Sequence, residues 1–479
     1  MVGVIVGPTL AVRHGGREIF FFSWAPLCYA YTHEQENMSS ERGEFGSRLG
    51  FVLAAAGSTI GLGNIWRFPY VAGEGGGGAF LVLYLAMVFT LGLSIMLAEI
   101  AIGRAAKRNP VGAFRTLKGS AWTGLGYLGV LAAFVILSFY SVIGGWTLAY
   151  VLATLGPLLE ATDARAFGDH FRDFTAGPVE PVLYHGLFML LSAGVVMGGV
   201  RAGIERWSKL LMPLLFIMLV ALCLRALTLP GAWAGVEFFL IPDWQRFDAA
   251  TVGAAMSQAF FSMSLGMGCL LTYGSYLSSA ERLPGIAVTV SALDTTIAML
   301  AGLLILPATF AFGFDPASGP GLSFVTLPAV FAEMPLGRVF APLFFALLAI
   351  AALTSNVSLL ETAVAYLVDE KGTGRRAATA IAAGLGFAIG VPSALAFGPF
   401  ADATLFGKTF FGLMEYLATN LLMPIGGIGI AVFAGWIIRD RIRREVLGDG
   451  WNPQLLGAWG WILRWLAPAA VAWILISGL

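Results

Sequence analysis

Apolar stretches of about 20 residues dominate this chain, and about 20 residues is the length an α-helix needs to cross a bilayer. We count about eleven of them and number them spans one to eleven, at roughly 48–72, 78–103, 122–155, 182–199, 207–229, 251–277, 285–312, 338–368, 376–397, 408–437 and 454–478. Only 12% of the 479 residues are charged, against about 25% in soluble proteins. No soluble domain fits between the spans, so we expect an all-α polytopic membrane protein.

Charge and residue counts exclude several function classes. The formal net charge is zero, which gives no basis for binding nucleic acid. The four histidines have no metal-ligand spacing, and two of the three cysteines, Cys223 and Cys269, fall in apolar segments where a disulfide framework is not expected. No nucleophile, base and orienting group come together, so an enzyme is the least favoured class.

Residues 1–41 differ from the remainder of the chain. Their apolar run, REIFFFSWAPLCYAY, is too short to span a bilayer. It is either a signal-like segment or sequence upstream of a true start at Met38. We therefore divide the chain into an N-terminal segment 1–41, a ten-span core 42–437, and a basic loop with an eleventh span, 438–479.

Lysine and arginine are concentrated in alternate loops, and such loops face the cytoplasm. The basic set is Lys107, Arg108, Arg115, Lys118, Arg201, Arg206, Lys209, Lys371, Arg375, Arg376, Arg439, Arg441, Arg443 and Arg444. This places the N-terminus in the cytoplasm and, with eleven spans, the C-terminus outside. We expect a multi-pass protein of the bacterial inner (plasma) membrane.

Two spans carry glycine near mid-membrane. Span one contains Gly57, Gly61 and Gly63, and span six contains Gly266 and Gly268. Glycine inside a helix costs about 1 kcal/mol relative to alanine, and an unsatisfied backbone group in hydrocarbon costs several. Such a break persists where it lines a cavity and its carbonyls find partners, although close helix packing would also explain single glycines. Two breaks five spans apart predict an inverted repeat.

The residues around these breaks resemble a known family. The segments RLGFVLAAAGSTIGLGNIWRFPY, GGGGAF, SQAFFSMSLGMGCLLTYGSY and LTSNVSLLE are similar to the neurotransmitter:sodium symporters, whose bacterial amino-acid members define the LeuT fold. The similarity runs from about Arg48 to the end of span ten. It implies a five-plus-five inverted repeat with broken spans one and six, here followed by one further span instead of two.

The resemblance implies two sodium sites. One would use the carbonyls of Gly57, Ile60 and Ala351 with the hydroxyls of Thr354 and Ser355; the other would use the Thr59 carbonyl, Asn64, Ser262, Asp294 and the substrate carboxylate. A substrate that is itself a sodium ligand raises sodium affinity, and sodium raises substrate affinity by the same factor.

Asp294 departs from the commonest family pattern, which has asparagine. Many animal members need chloride near this site, and some bacterial members carry a glutamate one turn later, where this chain has Ala298. We expect Asp294 to supply the negative charge, so that transport needs no chloride. The alternative is a protonated Asp294 that is only hydrogen-bonded.

The resemblance also implies a substrate site. It would comprise Thr59, Gly61, Leu62, Gly63, Ile136, Tyr140, Phe261, Ser262, Ser264, Met267, Ser355, Ser358 and Leu359. Members that carry monoamines have an aspartate at the position of Gly61, so glycine here favours a substrate with its own carboxylate. The apolar walls favour a neutral, hydrophobic or aromatic L-amino acid.

Four further residues match the family's gates. Arg67 and Glu415 would close the outer vestibule, and Arg42 and Asp369 the cytoplasmic side. Arg67 could instead extend to the outer interface. The predicted function is sodium-coupled symport of a neutral amino acid; a sodium-independent exchanger or a non-transporting sensor of the same fold are the alternatives.

Overall fold

The computed structural model describes residues 10–14, 17–21, 43–160, 164–246, 248–315, 319–447 and 452–477. The chain divides into two units, Met1–Glu44 and Phe45–Leu479. In the first unit, strands β1 (Leu10–His14) and β2 (Arg17–Phe21) pair antiparallel, with His14 opposite Arg17. The sequence predicted no strand in this segment, so the hairpin is an addition to the predicted all-α fold. Arg42 lies outside the described residues.

The second unit is helical. Its helices up to span six are α1 Arg48–Thr59, α2 Phe68–Glu74, α3 Gly78–Met87, α4 Leu93–Ala106, α5 Pro110–Lys118, α6 Thr123–Leu155, α7 Ala164–Ala176, α8 Glu180–Met197, α9 Arg206–Leu227, α10 Ala232–Leu240, α11 Ala249–Ser262 and α12 Cys269–Ser275. Single wider π turns join several of them, as at Gly63–Arg67, Val88–Gly92 and Val200–Glu205.

The remaining helices follow in the order α13 Leu283–Ala311, α14 Thr326–Glu333, α15 Gly337–Lys371, α16 Arg375–Ala394, α17 Phe410–Tyr416, α18 Met423–Val432, α19 Arg439–Leu447, α20 Pro453–Trp461 and α21 Ala467–Ser477. Short π segments at Leu417–Leu422, Phe433–Ile437 and Ile462–Leu466 keep spans ten and eleven continuous. Helices α6 and α15, spans three and eight, pack together more extensively than any other pair among the described residues.

Most predicted spans correspond to one continuous helix. Nine helical segments of the described residues are long and apolar enough to cross a membrane, or ten when the bent pair Arg48–Thr59 and Gly63–Glu74 is counted as one span. Span six is different, since it consists of α11 and α12, each too short to cross alone. Large apolar side chains such as Leu183, Leu190 and Ile217 are exposed on the outer helix faces, where a bilayer would cover them.

Candidate functional site

Span one breaks next to its glycines. Helix α1 ends at Thr59, Ile60 adopts an extended backbone conformation (φ −78°, ψ 100°), and helical structure resumes at Gly63 with a bend of 50°. Every residue from Ala54 to Trp66 is buried. The free carbonyls of this turn therefore lie inside the protein, where they need partners other than water.

Span six breaks at the matching position. Helix α11 ends at Ser262, α12 begins at Cys269, and Ser264, Gly266 and Gly268 between them have positive φ. A Cβ on Gly266 would lie 2.3 Å from the Met423 carbonyl oxygen, so glycine is required there for packing as well as for conformation. The Gly266 N–H donates to Oε1 of the buried Glu99 at 2.7 Å, which satisfies a group released by the break.

A small cavity of about 20 Å³ lies between the two breaks, with room for about one water molecule. Eleven of the thirteen predicted substrate residues line it, namely Thr59, Gly61, Gly63, Ile136, Tyr140, Phe261, Ser264, Met267, Ser355, Ser358 and Leu359. Ser58 also lines it and was not predicted, while Leu62 and Ser262 are not among the lining residues. An amino acid therefore needs the walls to move apart before it fits.

The cavity wall has a donor at one end. The Leu62 N–H, at the start of the outer half of span one, donates to the Tyr140 hydroxyl oxygen at 2.8 Å. A Cβ on Gly61 would lie 2.3 Å from both the Tyr140 hydroxyl oxygen and Ser355 Oγ, so a larger residue at position 61 requires these two side chains to move. A hydroxyl and a helical N-terminus that meet in this way suit a carboxylate.

Oxygen atoms converge where the first sodium site was predicted. The Ser355 hydroxyl lies 3.2 Å from the Gly57 carbonyl oxygen and 3.3 Å from that of Ile60, and the Thr354 hydroxyl lies 3.0 Å from the Ala351 carbonyl oxygen. All five groups are neutral, hard oxygen donors, which is the donor set that a small hard cation prefers. The residues present therefore fit sodium.

The second predicted sodium site is a hydrogen-bonded cluster of buried groups. The Asn64 amide donates to Ser262 Oγ and to Asp294 Oδ1, each at 2.9 Å, and the Ser262 hydroxyl donates to Asp294 Oδ2 at 2.9 Å. Tyr84, which was not predicted, lies 3.1 Å from Ser262 Oγ. A buried carboxylate held only by neutral groups fits a cation as its counter-ion.

Arg67 and Glu415, which were predicted as one gate, do not form an ion pair. Arg67 donates to Gln258 Oε1 at 3.2 Å, and its guanidinium lies 4.9 Å from the Phe261 ring centroid. Among the ion pairs between described residues, with nitrogen and oxygen within 4.0 Å of each other, there is none between Arg67 and Glu415. Gln258 also donates to the Gly63 carbonyl oxygen at 2.7 Å, so this unpredicted residue connects Arg67 to the break in span one.

A second network lies at the end of the molecule that carries the basic loops. Asp369 accepts the Asn109 backbone N–H at 2.8 Å and its side-chain amide at 3.0 Å. Glu361, which is fully buried, accepts the Tyr276 hydroxyl at 2.7 Å and the Arg375 guanidinium at 2.5 Å. These contacts connect spans six, eight and nine at the end of the molecule that carries the basic loops.

The fold and the site define a class of protein: a helical membrane protein with two broken spans around a buried polar cavity. The sequence model of the sodium:neurotransmitter symporter family matches residues 42–164 and 176–478. The chain belongs to this family, and its members are transporters and not enzymes.

Sequence relatives and a solved structure support the same family. The chain is 38% identical to an uncharacterized sodium-dependent transporter of Bacillus subtilis, over 91% of this chain and 97% of that protein. It is 35% identical to one of Haemophilus influenzae, over 92% of this chain and 99% of the other. The crystal structure of MhsT in complex with L-phenylalanine matches with a TM-score of 0.85 and 44% identity, covering 91% of this chain and all of that one. The predicted multi-pass helical LeuT fold is confirmed.

Proposed function

We propose that this protein couples the inward movement of sodium to the uptake of a neutral, hydrophobic or aromatic L-amino acid by alternating access. The observation that carries the proposal is the contact of the Ser355 hydroxyl with the Gly57 and Ile60 carbonyls, across 298 and 295 residues of sequence. The break in span one leaves these buried carbonyls without helical hydrogen-bond donors. A cation between them and span eight would hold the two spans together. Release of that cation would let them separate.

Two sodium ions would bind. Gly57, Ile60, Ala351, Thr354 and Ser355 would hold one, and Thr59, Asn64, Ser262 and Asp294 would hold the other with the substrate carboxylate. Shared coordination makes binding of sodium and substrate mutually dependent, because each supplies a ligand or a charge that the other needs. Two cations crossing 100 mV provide about 4.6 kcal/mol, enough for roughly a 10³-fold accumulation.

The substrate class follows from the cavity walls. Ile136, Phe261, Met267 and Leu359 surround the side-chain end of the cavity, and burying an apolar side chain there contributes roughly 25 cal/mol per Å². Tyr140 and the Leu62 N–H would exchange their mutual hydrogen bond for bonds to the substrate carboxylate. The match to MhsT, which was crystallised with L-phenylalanine, supports the same class of substrate for this chain.

The charge at the second sodium site favours independence from chloride. Asp294 is fully buried, and the groups that its carboxylate contacts among the described residues, Asn64, Ser262, Thr59 and Tyr84, are all neutral. A fixed negative charge here removes the need for a bound anion. From the distribution of basic loops we propose that the N-terminus lies in the cytoplasm and the C-terminus outside the inner membrane.

Uptake into proteoliposomes tests the proposal. Purified protein is reconstituted, and a panel of labelled L-amino acids is presented with an inward gradient of sodium or of potassium. We expect sodium-driven accumulation of aromatic and large aliphatic amino acids, and loss of accumulation in Ser355→Ala. Equal uptake in both gradients would indicate an exchanger, and sodium-dependent binding without uptake would indicate a sensor; either result contradicts symport.

A further inference from the structure

A basic pocket opens beside the end of span ten, far from the two broken spans in sequence and outside the transport site. Its volume is about 420 Å³, within the range of about 300–1,000 Å³ that is typical of ligand sites. It is lined by Leu117, Lys118, Trp436, Arg439, Asp440 and Arg441, among others. Three cations and one anion give it a net positive charge.

The cations of the basic pocket come from separate parts of the chain. Lys118 ends helix α5, which Gly119 terminates with a φ of +91°, whereas Arg439 and Arg441 begin helix α19. All three side chains are exposed. The ion pairs found between described residues do not include any of the three. The fold thus brings unneutralised charges from two distant loops to one concave surface.

Span ten, Phe410–Ile437, ends beside the pocket, and an exposed aromatic pair lies next to this end. Trp436 is 49% exposed and packs edge-to-face on the 55% exposed Trp465, with ring centroids 4.9 Å apart. The Arg464 guanidinium lies 6.0 Å from the Trp436 ring centroid. Exposed tryptophan beside arginine is typical of the membrane–water interface. Arg439 and Arg441 lie just beyond the last residue of span ten, Ile437, where the chain leaves its apolar membrane-spanning segment.

We propose that this pocket binds the phosphate of an anionic membrane phospholipid. Arginine is suited to bidentate contact with phosphate oxygens, and the positive end of helix α19 points into the same space. Leu117, Trp436 and Ile437 supply an apolar side to the pocket. A free phosphate ion gains nothing from these side chains, whereas the glycerol and first methylenes of a lipid pack on them. Basic pockets between membrane helices bind anionic headgroups in this way.

Native mass spectrometry of the full-length protein in detergent tests the proposal. The protein is titrated with phosphatidylglycerol, and separately with phosphatidylcholine of the same acyl chains. The test variant is Lys118→Gln with Arg439→Gln and Arg441→Gln. The matched control removes the same charge from exposed residues of other basic loops, Arg206→Gln, Lys371→Gln and Arg376→Gln.

We expect wild type and control to bind phosphatidylglycerol in preference to phosphatidylcholine. Each removed cation lowers the affinity about fivefold, so the test variant loses affinity for phosphatidylglycerol by on the order of a hundredfold and keeps its weak affinity for phosphatidylcholine. Equal losses in test and control variants would overturn the proposal, since they would indicate a general charge effect. Displacement of the lipid by millimolar inorganic phosphate would also overturn it, in favour of a free anion site.

The wild type provides a second test that does not depend on folding of the variant. Its thermal unfolding is followed in detergent with added phosphatidylglycerol or phosphatidylcholine. A ligand that binds only the folded state raises the midpoint. We expect a larger rise with phosphatidylglycerol, and the single variant Arg441→Gln to reduce it. Equal rises with the two lipids contradict the proposal.

Discussion

Replacing Gly61 with alanine tests how closely the break in span one approaches spans three and eight. The new Cβ would lie 2.3 Å from both the Tyr140 hydroxyl oxygen and Ser355 Oγ, against 3.4–4 Å for ordinary contact. Both side chains must therefore retreat by about 1 Å, which costs about 1–3 kcal/mol of packing energy. The retreat also removes the Tyr140 hydroxyl from the substrate carboxylate, and a hydrogen bond to a charged group contributes about 1.5–3 kcal/mol.

The packing cost is present with and without substrate, so it lowers the free energy of unfolding and not the affinity. The lost hydrogen bond alone acts on binding, so we expect Gly61→Ala to weaken substrate binding about tenfold or more. The assay is equilibrium binding of labelled L-phenylalanine to purified protein at saturating sodium. Gly194→Ala is the matched control, because nothing lies within 4 Å of its added Cβ. The double variant Gly61→Ala with Tyr140→Phe should cost less than the sum of the single variants, since they disrupt the same contact.

A Gly61→Ala protein that binds L-phenylalanine as tightly as wild type would refute this reasoning. So would equal losses in Gly61→Ala and Gly194→Ala, because the contact at position 61 would then have no special effect. Gly61→Ala should also unfold at a lower temperature than Gly194→Ala because of its packing cost. Binding is therefore compared at a temperature at which both proteins are folded, and the double variant separates the hydrogen-bond effect from the packing effect.

Three other predictions concern the stability of span six, sodium and chloride. Glu99→Ala should lower the thermal unfolding midpoint in detergent, because the buried Gly266 N–H loses its 2.7 Å acceptor at a cost of about 1–3 kcal/mol. Glu99→Gln should lower the midpoint less. Equal midpoints for wild type and Glu99→Ala would contradict this prediction. Ser355→Ala should raise the sodium concentration for half-maximal uptake at least several-fold, and an unchanged sodium dependence would exclude Ser355 as a ligand. Replacing chloride with gluconate should leave wild-type uptake unchanged, and a strong loss would show that Asp294 does not supply the missing charge.

The breaks could be predicted because their physical signal is local. Gly57, Gly61 and Gly63 weaken a helix that otherwise has to keep its backbone bonded in lipid, and Gly266 and Gly268 repeat the signal. Each glycine group accompanies an interrupted helix in the structure. The number and positions of the spans follow from apolar length in the same way, and the structure has continuous helices for most of them.

Contacts between distant spans could not be predicted from such patterns. The Asn64 to Asp294 contact joins residues 230 apart, and only the resemblance to a family indicated it. Tyr84 and Gln258 lie in apolar helices and give no sign in the sequence of which face points inward, so their contacts with Ser262 and Gly63 were missed. The small volume of the cavity belongs to one conformation of the protein. No pattern in the sequence indicates which conformation is populated, so this volume could not be predicted.

The hairpin Leu10–His14 with Arg17–Phe21 was also missed. The residues between its strands, Gly15 and Gly16, are a common turn signal between short strands. The segment was interpreted either as signal-like or as sequence upstream of a true start at Met38, and neither interpretation predicts a strand.

The most direct test of the account is whether sodium and substrate raise each other's affinity. Binding of L-phenylalanine to purified protein is measured across a sodium titration, with potassium holding ionic strength constant, and sodium binding is measured with and without L-phenylalanine. We expect each ligand to increase the affinity for the other by the same factor, within about 5–150-fold. Equal affinity for L-phenylalanine in sodium and in potassium would contradict the claim that the broken spans form a shared site for both.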